Sequence, residues 1–258
     1  MMNLVDKNVV FVAGLGGIGL EAVKNFLTKK VAFMYILDNM DKPEVIQELK
    51  SQFPKTKIMF GRLNVTNTKE IEQRFKEIIA QMKYIDVLVN GAGIIADRNV
   101  ELTMAVNLTG LINTTMVAMK YMDKSQGGRG GVIANIASVL GLEPAHGIAV
   151  YTASKHGVIG FTRSMAHDLY YKQTGVMHMA VCPGITRTTL LDNLDGRDTF
   201  DYSRPLSEHL VTCKYQTPAV MGASLVKSVE MVENGGMYIC DLGTVKKVEP
   251  KTHWQFQF

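Results

Sequence analysis

The chain has 258 residues, 47% hydrophobic and 20% charged, with a formal net charge of +4. That length suits one large domain or two small ones, and the mild, scattered charge excludes a nucleic-acid-binding reading, which needs a basic stripe or run. Three cysteines without metal-ligand spacing exclude a disulfide scaffold and a zinc site, and read as reduced thiols. Asp6 and Lys7 stand where a signal peptide would have its apolar core, so no leader, no membrane span and a cytoplasmic location are expected. Three Asn-x-Thr triplets, at Asn64, Asn107 and Asn113, fall in or beside predicted elements and read as accidental matches to a glycosylation pattern.

In chain order, short Val- and Ile-rich runs alternate with segments of helical period. Strands are expected at 9–13, 32–37, 57–63, 85–90, 131–136, 176–181 and 237–240. Helices are expected between them, at 18–29, 43–52, 69–83, 100–122, 150–171 and 219–233. Such alternation predicts a mostly parallel sheet with helices on both faces, and the near-continuous apolar strands predict burial on both sides. One stretch, about 185–217, is long, polar and charged. The expectation is a single domain over 1–258 with this one excursion, expected to form a lid over the substrate. In such a sheet, ligands bind beyond the carboxyl ends of the strands.

The first strand runs straight into "VAGLGGIG", which places Gly14, Gly16 and Gly19 at a turn that opens a helix. Glycines there permit a tight turn, close approach to a pyrophosphate and close helix packing, while free N–H groups attract the anion. Strand two ends in "YILD", and Asp38 lies 19 residues after Gly19, the distance at which a carboxylate meets ribose hydroxyls. Asp38 could instead cap the helix that begins at Pro43. A 2′-phosphate would meet Asp38 as a like charge, and Asn39 offers no cation to absorb it, so NAD is expected over NADP.

Later in the chain, "VYTASKHGV" sets Tyr151 four residues before Lys155, on one helical face. Alone, that pair says little. It gains meaning beside "VLVNGAG" (Val87–Gly93), "VNLTGL" (Val106–Leu111), "NIASV" (Asn135–Val139) and "VCPGITRTTL" (Val181–Leu190). Together these resemble the short-chain dehydrogenases/reductases over nearly the whole chain. The short glycine turn is similar to that of the insect-type alcohol dehydrogenases, and the Met richness and "HW" near the end to their fat-body and development-associated relatives. "GFTRS" and "GGRGG" also resemble prostaglandin dehydrogenases.

The resemblance implies a Rossmann-type doubly wound sheet of about seven strands in the order 3-2-1-4-5-6-7, and an NAD-dependent interconversion of an alcohol with its ketone or aldehyde. It makes Tyr151 the general base, Lys155 the cation that favours its phenolate and reaches the ribose, Ser138 the donor that orients the substrate oxygen, and Asn107 the holder of a proton-relay water chain. For the cofactor it implies Gly14, Gly16, Gly17, Ile18 and Gly19, then Asp38, Asn64 and Val65, then Asn90, Gly91, Ala92 and Gly93, and Pro183, Gly184, Ile185 and Thr186. The family often has Asp where Asn64 stands. Asn64 is expected to use its carbonyl on the adenine amino group instead.

Ser138, Leu140, His146 and Tyr151 are the implied substrate neighbours, although His146 reads first as a satisfied loop histidine rather than a catalyst. No metal is expected. The partner is a small or medium secondary alcohol or its ketone, and the assembly a homodimer with Trp254, Phe256 and Phe258 docked on a second subunit. Two other functions remain open: a developmental or storage-type protein that retains the fold with little activity, and a dehydrogenase of a larger lipid alcohol.

Overall fold

The computed structural model describes residues 1–192 and 194–249. Seven strands run parallel: β1 (Asn8–Val12), β2 (Phe33–Asp38), β3 (Lys57–Arg62), β4 (Val87–Asn90), β5 (Gly131–Ile136), β6 (Val176–Pro183) and β7 (Met237–Asp241). An eighth, β8 (Thr244–Val248), returns antiparallel to β7. The sheet order is β3-β2-β1-β4-β5-β6-β7-β8, the Rossmann-type doubly wound arrangement with one strand more than the sequence suggested. The sequence carries no signal for β8 because of its turn. Leu242 and Gly243 take φ of 48° and 81°, the left-handed pair a two-residue hairpin needs, and Leu in that role carries no turn signal.

Every residue of β1 is buried, and its side chains alternate between two cores. Val9 and Phe11 join Met34, Ile36, Val87 and Val89 on one face, against Phe26 of α1 (Gly17–Thr28) and Leu225 of α9 (Pro218–Glu230). Val10 and Val12 join Tyr35, Leu37 and Leu88 on the other, against Phe75 of α3 (Thr68–Met82) and Val117 of α5 (Gly110–Met122). Burying each such side chain stabilises the fold by about 1.5–3 kcal/mol. β1 and β4 are neighbours while the chain leaves β1 toward β2, so the order reverses between them. There the crevice opens.

The long helix expected at 100–122 is three pieces: α4 (Val100–Met104), a π-helical turn (Ala105–Thr109) and α5. By length and composition this run could cross a bilayer, contrary to the expectation that none approached it. In this fold it packs against α3 and α6 (Ala149–Met165) as a core helix. The helix expected at 150–171 is likewise two, α6 and α7 (Asp168–Thr174), the second started by His167, whose Nδ1 accepts from Leu169 N. Beyond β6, α8 (Arg204–Thr212) sits within the charged excursion. Cys182 and Cys240 are buried and Cys213 half-buried, all free.

Candidate active site

Beyond β1 the chain turns through Ala13–Gly16 into α1. A Cβ on Gly19 would stand 2.1 Å from the Ala13 carbonyl oxygen, so no other residue fits. Gly16 caps α1 without a side chain, which leaves the first N–H groups of the helix open to an anion. Asp38, 5% exposed, braces this turn: one carboxylate oxygen accepts from Leu15 N at 2.9 Å, the other from Met40 N at 3.1 Å. The helix α2 (Pro43–Gln52) starts from Lys42 with no side-chain cap, so Asp38 is not its cap. Two cations also reach this turn. Lys42 Nζ donates to Leu15 O at 3.1 Å and Arg62 Nε to Asn39 O at 3.1 Å.

The remaining nucleotide-side candidates divide. Gly91 and Gly93 line the central cavity, with Ile18, Gly19, and the run Pro183, Gly184, Ile185 and Thr186. Asn90 turns inward instead: its Nδ2 donates to Asn135 Oδ1 at 2.9 Å and Thr115 Oγ1 at 3.0 Å, in a buried ladder that Asn135 extends to Thr162. Ala92 packs on the α3–α5 core, and Val65 meets Gly110 there. Asn64 is exposed, and its Oδ1 already accepts from both the amide and the hydroxyl of Thr66. That turn occupies the carbonyl intended for adenine. Thr186 is similarly engaged, donating to Gly184 O at 2.9 Å and accepting from Gln216 Nε2 at 3.3 Å.

Ser138, Tyr151 and Lys155 line the same cavity, each at most 8% exposed. Ser138 follows β5, and its hydroxyl accepts from Leu140 N at 3.1 Å while facing the Tyr151 phenol. Burial pushes that phenol up to about 12, against the smaller downward pull of the Ser138 hydroxyl. Lys155 Nζ lies 5.7 Å from the Tyr151 ring centroid and donates to Ile136 O at 3.0 Å. Burial lowers the lysine to about 8. In the protein without cofactor, desolvation outweighs the pull of nearby groups on the phenol, so Lys155 favours the phenolate only together with further positive charge.

Asn107 is fully buried on the π-helical turn. It holds the loop after β4, accepting from Ile94 N at 2.8 Å and donating to Ile94 O at 2.9 Å and Ser154 Oγ at 3.0 Å. Both Nδ2 protons are thus committed to a tie between loop and α6. A π turn re-aims one residue within a helix, and here that residue is Asn107.

The cavity encloses about 130 Å³. Away from the phenol its walls are aliphatic: Ile95, Leu140, Ile148, Leu190, Leu191 and Leu210. Three of these come from the excursion. His146 is exposed and does not line the cavity. The base of the excursion is clamped by Gln216, whose backbone N donates to Ile185 O at 2.9 Å and whose side chain donates to Cys240 O at 2.9 Å. Its tip is held by Arg197, which donates to the carbonyls of Ile95, Asp192 and Leu190 at 2.8, 2.9 and 3.0 Å. Trp254, Phe256 and Phe258 lie outside the described residues.

A family model described as short chain dehydrogenase matches residues 7–198, from before β1 through the lid's clamped tip. The chain belongs to the short chain dehydrogenase family. It is 49% identical over 254 residues to alcohol dehydrogenase 1 of Ceratitis capitata, covering 98% of this chain and 99% of that one. It is 41% identical to fat body protein 2 of Drosophila melanogaster, over 99% of this chain and 100% of that one. Among solved structures, ElxO with NADP bound superposes with a TM-score of 0.74 at 27% identity, over 93% of this chain and 98% of that one. Within this short chain dehydrogenase, Gln216, Thr199 and Asp97 carry no signal in the sequence, because their nitrogen and oxygen partners lie 24 or more residues away and none sits in a motif of fixed spacing.

Proposed function

We propose that the protein interconverts a small or medium secondary alcohol and its ketone, with NAD as redox partner and Tyr151 as the proton-transferring group. One observation carries this: Ser138, Tyr151 and Lys155 share a single aliphatic cavity with Gly19 of the glycine turn and with Pro183–Thr186. The glycine turn fits a dinucleotide, because the place a Gly19 side chain would fill is closed and the first N–H groups of α1 are open. Gly14, Gly16, Gly17, Ile18 and Gly19 would hold the pyrophosphate, Asp38 and Lys155 the ribose hydroxyls, Gly91 and Gly93 the adenosine side, and Ile185 and Thr186 the carboxamide. Bound NAD supplies a hydride acceptor and a positive charge. The similarity to alcohol dehydrogenase 1 supports an alcohol as substrate, and the largely aliphatic wall, which carries no acidic side chain, supports a small uncharged one.

In this reading, Ser138 Oγ donates to the substrate oxygen and Tyr151 Oη takes its proton. At pH 7 Lys155, lowered only to about 8, keeps its ammonium beside the ring. The phenol, raised to about 12, starts protonated and needs further positive charge to ionise. Oxidation therefore speeds up as pH rises, and ketone reduction, which needs the protonated phenol, speeds up as pH falls.

The test is NAD reduction over a panel from propan-2-ol to long-chain and cyclic alcohols, across pH. Tyr151→Phe is expected to lose at least about 100-fold in kcat and to flatten the pH profile. Turnover kept within a few-fold in that variant refutes the proton-transfer role. Binding of NAD without turnover of any alcohol favours the second reading, supported by the likeness to fat body protein 2, of a developmental protein retaining the fold.

A further inference from the structure

We propose that Asp97 is a positioning residue for Tyr151: from the loop after β4, its carboxylate caps helix α6 and fixes the placement of the phenol in the cavity. This rests on the reading of Tyr151 given above. Helix α6 begins in an unusual way. Its N-cap position is Ile148, which has no side chain able to cap and which lines the aliphatic wall. A helix leaves its first N–H groups without internal partners, and a Ser, Thr, Asp or Asn at the cap normally answers them.

Here the answer comes from 53 and 54 residues upstream. Asp97, 2% exposed, accepts from Val150 N at 2.7 Å and from Tyr151 N at 2.9 Å, one bond on each oxygen. The negative charge also sits at the positive end of the helix, where it is favoured. A local cap would put a polar side chain where Ile148 now faces the substrate space. A cap in trans leaves that wall apolar and makes the backbone N–H of Tyr151 itself a ligand of the anchor, so a shift of Asp97 is a shift of the phenol.

The same carboxylate is tied to the lid. Thr199 Oγ1 donates to Asp97 Oδ2 at 2.9 Å and accepts from Ala149 N at 2.9 Å, so the lid finishes the capping of the first turn. Asp97 N in turn donates to Arg197 O at 2.9 Å. Lid, loop and the helix bearing Tyr151 therefore share one polar knot beside the cavity. Misplacing a reacting group by about 1 Å can cost on the order of 100-fold in rate, and this knot has the leverage to do so.

The experiment measures kcat, alcohol KM, thermal midpoint and NAD binding by fluorescence in Asp97→Ala, Asp97→Asn and Tyr151→Phe. Asp97→Ala is expected to bind NAD within about twofold of the parent while kcat falls about 100-fold. Asp97→Asn, which keeps one acceptor, is expected to recover part of that kcat, and carries the test alone if the alanine variant does not fold. A purely structural cap predicts a lowered thermal midpoint with kcat of the folded protein within about threefold of the parent in both variants, and that result overturns the proposal. An inactive Tyr151→Phe beside fully active Asp97 variants sinks only this inference. A fully active Tyr151→Phe sinks the proton-transfer reading and this inference with it.

Discussion

The two ends of the cavity are built by different means. At the glycine-turn end, the turn after β1 is made mainly by backbone and by missing side chains, Gly19 pressed against Ala13 O and an uncapped α1, with one side chain, Asp38, bonding amides at 2.9 and 3.1 Å. At the other end, the excursion is held by side chains reaching foreign backbone: Arg197 on Ile95, Gln216 on Cys240 and Thr199 on Gly147. The first device tolerates no substitution at its contact point but depends on few residues. The second can be loosened in steps. Under the proposed function, an end that fits one invariant cofactor gains from the first device, and an end that admits and releases a substrate gains from the second.

Substitutions should separate the two. The largest effect is expected for Gly19→Ala, whose new Cβ collides with Ala13 O; it should cost about 3 kcal/mol of stability and most NAD affinity, read by thermal melting and nucleotide titration. A variant that binds NAD normally would show that the turn is softer than the contrast implies. Arg197→Ala removes three charge-assisted bonds from the lid tip and should cost about 2 kcal/mol, with alcohol KM raised and NAD affinity kept. Parallel loss of both affinities would mean the ends are not independent. The smallest effect is expected at Asp38→Asn. Removing the negative charge while Lys42 and Arg62 remain at the turn should shift the NAD-to-NADP preference toward NADP by about tenfold, or about 1.4 kcal/mol. An unchanged ratio of kcat/KM for the two cofactors would remove Asp38 from the discrimination.

The same contrast explains what could be read from the sequence. Gly14, Gly16, Gly19 and Asp38 stand in a local pattern, as do Tyr151 and Lys155 one helical turn apart, because their geometry is set by neighbours in the chain. The mostly parallel sheet followed from the alternation of strands and helices, while its strand order came only with the family resemblance. Asp97 could not be read this way. Nothing within a few residues of it explains a buried carboxylate, since its partners lie 53 or more residues on. Resemblance assigns Asn64 and Thr186 to ligands, and only the structure shows that their polar atoms also hold local turns. The phenol shows a further gap: a spacing of four places Lys155 near Tyr151 but says nothing of how dry the site is. That dryness moves the tyrosine to about 12.

The hairpin at the far side of the sheet has its own consequence. A parallel stack that ended at β7 would offer a bare row of amides and carbonyls to any extended chain nearby. β8 occupies that row, and its outer margin carries exposed Lys246, together with Lys247 paired to Glu233 and Glu249. Incoming strands would have to bury those charges to add on. On this geometry the short return strand would disfavour edge-to-edge addition of another chain.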